Sequence, residues 1–78
     1  MPVNEHIRDI FDHTDTSRAR RYPREYRGGI YFDREELERI AKRLLNNLSH
    51  FVVAAQLPTV EELVDDYLNS NGYMIWGE

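Results

Sequence analysis

Arginine and tyrosine are interleaved through one short stretch of this chain, Ser17-Arg18-Ala19-Arg20-Arg21-Tyr22-Pro23-Arg24-Glu25-Tyr26-Arg27. A guanidinium neutralises carboxylates or phosphates in fixed bidentate geometry, and a tyrosine ring stacks on bases or inserts into a protein groove. Arg18, Arg20, Arg21, Tyr22, Arg24, Tyr26 and Arg27 are therefore the candidate partner-binding residues. They suit an acidic groove on another protein, with Arg and Tyr as anchors. They also suit a nucleic-acid backbone clamped by residues 18 to 27. A third arrangement is a surface loop whose arginines pair with acidic helices of the same chain. No recognition-helix pattern or RNA-binding signature accompanies the segment and the remainder of the chain is acidic, so a protein partner is the first reading and nucleic acid the second.

The opposite charge gathers elsewhere. Glu61, Glu62, Asp65 and Asp66 fall in a stretch, residues 59 to 78, that holds no base, within a chain of net charge −4. This forms a second candidate surface, and one alternative is that it mimics the phosphate track of DNA. Acidic residues in the first turn of a helix also complement its dipole, which is the structural reason for Glu35, Glu36, Glu61 and Glu62.

Other constellations carry less chemistry. His6, Asp9 and His13 share one helical face at spacings that would suit a divalent metal, but exposed polar residues on an amphipathic helix make the same pattern, and no metal site is assigned. Ser49 and His50 are neighbours, so on a helix they point apart and cannot act as nucleophile and base. Gly28-Gly29 lacks the further glycines and the nearby lysine of a phosphate loop, and the single lysine, Lys42, lies inside a helical pattern. The absence of cysteine excludes disulfides, cysteine-ligated zinc and a thiol nucleophile. The expectation is a non-enzyme with no catalytic residues and no cofactor.

The elements that must position these residues follow from periodicity and caps. Asn4 caps a helix over residues 5 to 13 with Val3, Ile7, Ile10 and Phe11 on one stripe. Residues 14 to 27 show no hydrophobic period, and Pro23 interrupts any helix there, which reads as an Arg/Tyr-rich loop contributing little to the core. Ile30, Tyr31 and Phe32 have the character of a short strand. Asp33 with Glu36 makes a capping box for one long central helix, from residue 34 to about residue 56, along Leu37, Ile40, Ala41, Leu44, Leu45, Leu48, Phe51, Val52 and Ala55. Thr59 and Glu62 cap a third helix with Val60, Leu63, Val64, Tyr67 and Leu68 inward, and Asn71-Gly72 stops it. Tyr73 to Trp76 reads as a last strand that pairs with residues 29 to 32 and buries at least two of Tyr73, Met74 and Trp76, the lesser alternative being that these three form an exposed aromatic binding patch.

The fold expected is thus α+β: a mainly helical, small single domain over residues 1 to 78, with one long central helix, two shorter helices and a small two-stranded sheet, the alternative being all-α. Its core is expected to contain Ile7, Ile10, Phe11, Leu37, Ile40, Leu44, Leu48, Leu63, Tyr67 and Ile75. A central helix of some 22 residues carries more apolar stripe than its neighbours cover, which points to self-association as a homodimer. Glu5, Arg8, Asp9 and Asp12 stand where a signal peptide needs an apolar run, so a cytoplasmic location is expected. The charge-free stretch from Leu44 to Val60 is too polar for a membrane anchor, and no membrane partner is expected. Small cysteine-free domains without catalytic signals are often regulators or inhibitors, phage and mobile-element proteins of the anti-defence kind among them. The functional expectation is a protein-binding regulator of that type, acting on a host macromolecular machine.

Overall fold

Each helix starts at a side chain that replaces the missing backbone partner of its first turn. The computed structural model describes residues 4–21 and 26–77; Tyr22 and Arg24 of the Arg/Tyr segment lie outside the described residues. Helix α1 spans Glu5–His13, and the Asn4 side chain accepts from the His6 N–H at 2.8 Å. Helix α2 spans Arg34–Leu48, with Asp33 Oδ1 accepting from the N–H groups of Glu35 (2.9 Å) and Glu36 (3.3 Å). Its expected capping box is only half made. The Glu36 carboxylate pairs with Arg39, and the Asp33 N–H instead donates to Ala19 O at 2.7 Å. Helix α3 spans Val60–Asn71 and has the complete box, Thr59 N–H to Glu62 Oε1 (3.0 Å) and Glu62 N–H to Thr59 Oγ1 (3.1 Å). Gly72, left-handed at φ 69°, ends it.

Strand β1, Tyr31–Phe32, pairs in parallel with β2, Met74–Ile75, with Tyr31 opposite Met74 and Phe32 opposite Ile75. Helices α2 and α3 form the crossover that parallel pairing requires. The other edge of β1 is also occupied: Arg20 bridges Phe32 in the antiparallel sense, and the Arg21 N–H donates to Tyr31 O at 3.0 Å. Alternation along the strands directs Phe32, Tyr73 and Ile75 toward the helices and leaves Tyr31, Met74 and Trp76 on the side away from the core.

The core joins Ile7 and Phe11 of α1, Phe32 of β1, Leu37, Ala41 and Leu45 of α2, and Leu63, Val64, Tyr67 and Leu68 of α3. At its centre, Tyr67 meets Phe11 edge-on at 4.9 Å, and Phe32, Tyr67 and Tyr73 pack with centroids 5.0–5.9 Å apart. The Tyr67 hydroxyl is buried against Thr16 Oγ1 at 3.0 Å, and burial raises its pKa.

Four expectations are corrected. Helix α2 stops at Leu48, not near residue 56; a tight turn and a short 3₁₀ turn, Ala54–Gln56, follow it. The apolar period continues past Leu48, but Asn46, Asn47 and Ser49 weaken the helix locally. The Ser49 hydroxyl donates back to Asn46 O at 2.6 Å, and Val53 is extended at φ −59°, ψ 134°. Ile10 lies outside the core at 41 % exposure, and the α2 axis facing the core is Leu37-Ala41-Leu45, which leaves Ile40, Leu44 and Leu48 half-buried beside it. The 14–27 segment is not peripheral to the core: Thr16–Ala19 forms a 3₁₀ turn that buries Thr16 and Ala19 under α2. Finally, of Tyr73, Met74 and Trp76, only Tyr73 packs against the core.

Candidate functional site

The face of the sheet that carries no helix assembles three of the chain's aromatic rings. Tyr26, Tyr31 and Trp76 are each half-buried, with centroids 5.7–5.9 Å apart and interplanar angles of 64–89°, so each ring meets the others edge to face. A tight turn delivers Tyr26 to this place. Tyr26 and Gly29 exchange backbone hydrogen bonds of 2.8 and 3.0 Å across Arg27 (φ 49°) and Gly28 (φ 80°), two positive dihedrals in succession that reverse the chain in two residues. Trp76 arrives from the other end of the sequence, where its N–H donates to Phe32 O at 2.8 Å. The Met74 side chain completes the surface by lying over Gly29, where a Cβ would stand 2.9 Å from Met74 Cε.

Guanidinium groups border this platform. Arg27 stands 5.3 Å over the Tyr26 ring as a cation–π contact. Arg21 is exposed next to the backbone of Tyr31, and among the described residues neither arginine is in an ion pair. Arg18 is exposed on the 3₁₀ turn, 3.8 Å from Asp15. Arg20 differs from the other arginines of the segment: it is half-buried, its Nε is shielded from solvent without a hydrogen-bond partner, and its charge reaches the Tyr67 hydroxyl. The sequence-expected set therefore divides. Tyr26 and Arg27 meet at the platform, Arg21 is exposed on the strand edge beside it, Arg18 stands on the neighbouring turn, and Arg20 is built into the fold.

Tyr31 was not among the expected binding residues, and Met74 and Trp76 entered only through the lesser reading of an exposed aromatic patch. The alternation of a four-residue strand would have placed Met74 and Trp76 on the face away from Tyr73 and Ile75, but their meeting with Tyr26 depends on the β1–β2 pairing.

A groove of about 440 Å³ runs from Tyr31 and Met74 toward α3, where Arg34 and Asp65 lie in its wall. The acidic residues of α3 are mostly engaged within the chain. Asp66 accepts both Nε (2.6 Å) and an Nη (3.0 Å) of Arg8, and Asp65 pairs with Arg34 at 2.9 Å. These hydrogen bonds raise the pKa of both arginines. Glu62 is held by Thr59 in the capping box, whose hydrogen bonds lower its pKa, and Glu61 is exposed. Among the described residues, the arginines that pair with acidic residues of α3 are thus Arg8 and Arg34, neither of them from the Arg/Tyr segment. His13 bonds through Nδ1 to Asp9 O at 2.7 Å, and among the described residues no three His, Asp or Glu side chains converge to hold a metal. No helix among them is long and apolar enough to cross a membrane.

No protein-family model, curated protein or solved structure matches this chain.

Proposed function

We propose that this domain is a protein-binding module, a small regulator or inhibitor that acts by engaging another protein through the helix-free face of its sheet. The observation that carries this reading is the half-exposed trio Tyr26, Tyr31 and Trp76 with Arg21 and Arg27 beside it. Trp, Tyr and Arg are the residues in which interface energy concentrates, because each offers a large rigid area with a polar tip. The three rings hold one another edge to face, so much of the ordering cost of a contact is met when the domain folds.

The same geometry favours protein over nucleic acid. A strand of bases needs open ring faces in succession. Here each ring meets a neighbour edge to face, and Arg27 stands over Tyr26. A net charge of −4 also works against a phosphate backbone at long range. The carboxylates of Asp65 and Asp66 are matched by Arg34 and Arg8, which leaves less free negative charge for a DNA-like track.

The test is affinity capture from nuclease-treated extract of the native host, run in parallel with the parent and an Arg21→Ala/Arg27→Ala variant. A protein retained by the parent and weakened at least tenfold by the variant is expected, with shallow salt dependence. Equal retention by both would remove the sheet face as the contact. A labelled oligonucleotide bound with a steep linear dependence on the logarithm of salt would transfer the reading to nucleic acid.

A further inference from the structure

Phe51 is 87 % exposed and Val53 67 %, the two most exposed large apolar side chains among the described residues. Exposed apolar side chains point to a contact surface where they join a larger apolar feature. The patch continues a feature of α2. Hydrogen bonds from Ser49 N–H to Leu45 O (2.9 Å), Phe51 N–H to Leu48 O (2.9 Å) and Val52 N–H to Leu48 O (2.8 Å) carry near-helical winding past the end of the helix. Phe51 therefore extends the stripe Ile40, Leu44, Asn47 at spacings of four, three and four residues. Along that stripe runs a cleft of about 370 Å³, with Ile40, Arg43, Leu44 and Asn47 on one wall and Thr14, Asp15 and Arg18 on the other, so that its charges lie at the end away from Phe51.

We propose that a second copy of this chain fills the cleft. The two α2 helices run antiparallel about a two-fold axis near Asn47 and Leu48, and Phe51 of each copy inserts beside Leu44 and Ile40 of the other. Two observations select a second copy over an unrelated protein. The exposed ring and the cleft lie on one stripe about two helical turns apart, so a single two-fold operation seats both rings at once. From Leu44 to Val60 the chain has no Asp, Glu, Lys or Arg, so self-contact brings no like charges together at the axis. The argument does not rest on a 22-residue helix, which the chain does not form, and it is independent of the role given to the sheet face.

Sedimentation equilibrium of the parent should show monomer and dimer exchanging across the micromolar range. Phe51→Glu should keep the parent's far-ultraviolet circular dichroism and the melting temperature that the parent shows when diluted to monomer, because Phe51 is outside the core, and should raise the dimer dissociation constant about a hundredfold or more. Because the chain has no cysteine, Asn47→Cys gives a clean second readout. Under oxidised glutathione it should form a disulfide-linked dimer, whereas Glu61→Cys, on the exposed side of α3, should not. A parent that is monomeric throughout, a Phe51→Glu variant that dimerises like the parent, or equal cross-linking of the two cysteine variants would overturn the proposal.

Discussion

The two faces of the small sheet carry aromatic clusters of similar size with opposite surroundings. On the inner face Phe11, Phe32, Tyr67 and Tyr73 are enclosed by three helices, and the polar atom at the centre, the Tyr67 hydroxyl, is matched by Thr16. On the outer face Tyr26, Tyr31 and Trp76 pack against one another, with Arg27 at their margin and none of the described helices over them. The chemistry of the rings does not distinguish the two clusters; what covers them does. The inner cluster holds the domain together, and the outer one is the surface proposed above as the contact.

The sharpest way to break this comparison is to exchange the roles. Tyr67→Ala removes the ring that touches three other aromatics and should cost about 3–5 kcal/mol, enough to unfold much of so small a domain, read by urea denaturation. Trp76→Ala should cost only about 1–2 kcal/mol of stability while abolishing capture of the partner. Equal destabilisation by the two would mean that both clusters are core. Tyr67→Phe keeps the ring and leaves the Thr16 hydroxyl unpaired, at about 1–2 kcal/mol.

That variant should also alter the alkaline limb. The raised pKa of Tyr67 means that its stabilisation is complete below the ordinary tyrosine value and is lost as pH rises toward the raised one, so Tyr67→Phe should flatten the fall in melting temperature. The smallest effect belongs to the cap of the helix that carries Tyr67. Glu62 titrates below the usual carboxylate range, so its contribution is present above that range and disappears as pH falls through the lowered value. A Glu62→Gln variant should differ from the parent at neutral pH and converge with it in acid.

Local chemistry was legible in the chain and tertiary context was not. Asn4, Asp33, Thr59 with Glu62, and Gly72 mark helix ends because their hydrogen bonds reach only a few residues. The β1–β2 pairing was also readable, from two short apolar runs separated by helices. The far end of α2 was not, because periodicity reports where apolar residues stand and not whether anything packs on them; Phe51 keeps the period and is exposed. The same limit put Leu44 in the core in place of its neighbour Leu45. For the site, arginine and tyrosine content pointed to Arg21, Tyr26 and Arg27. It did not show that Arg20 is half-buried and bridged to Phe32, and it favoured the core for Trp76, which reaches Tyr26 only through the sheet.

The pairing of Tyr31 with Met74 joins parts of the chain that the whole of α2 and α3 separates. The outer surface is therefore absent from the unfolded chain and from any state in which β2 has come away, and a partner that recognises it binds only the fully assembled domain. Occupancy and folding are then linked equilibria. At a partner concentration one hundred times its dissociation constant, the folded state gains about 2.7 kcal/mol. For a chain of 78 residues this is a substantial share of the total stability, so the domain's lifetime against proteolysis would track the abundance of any such partner.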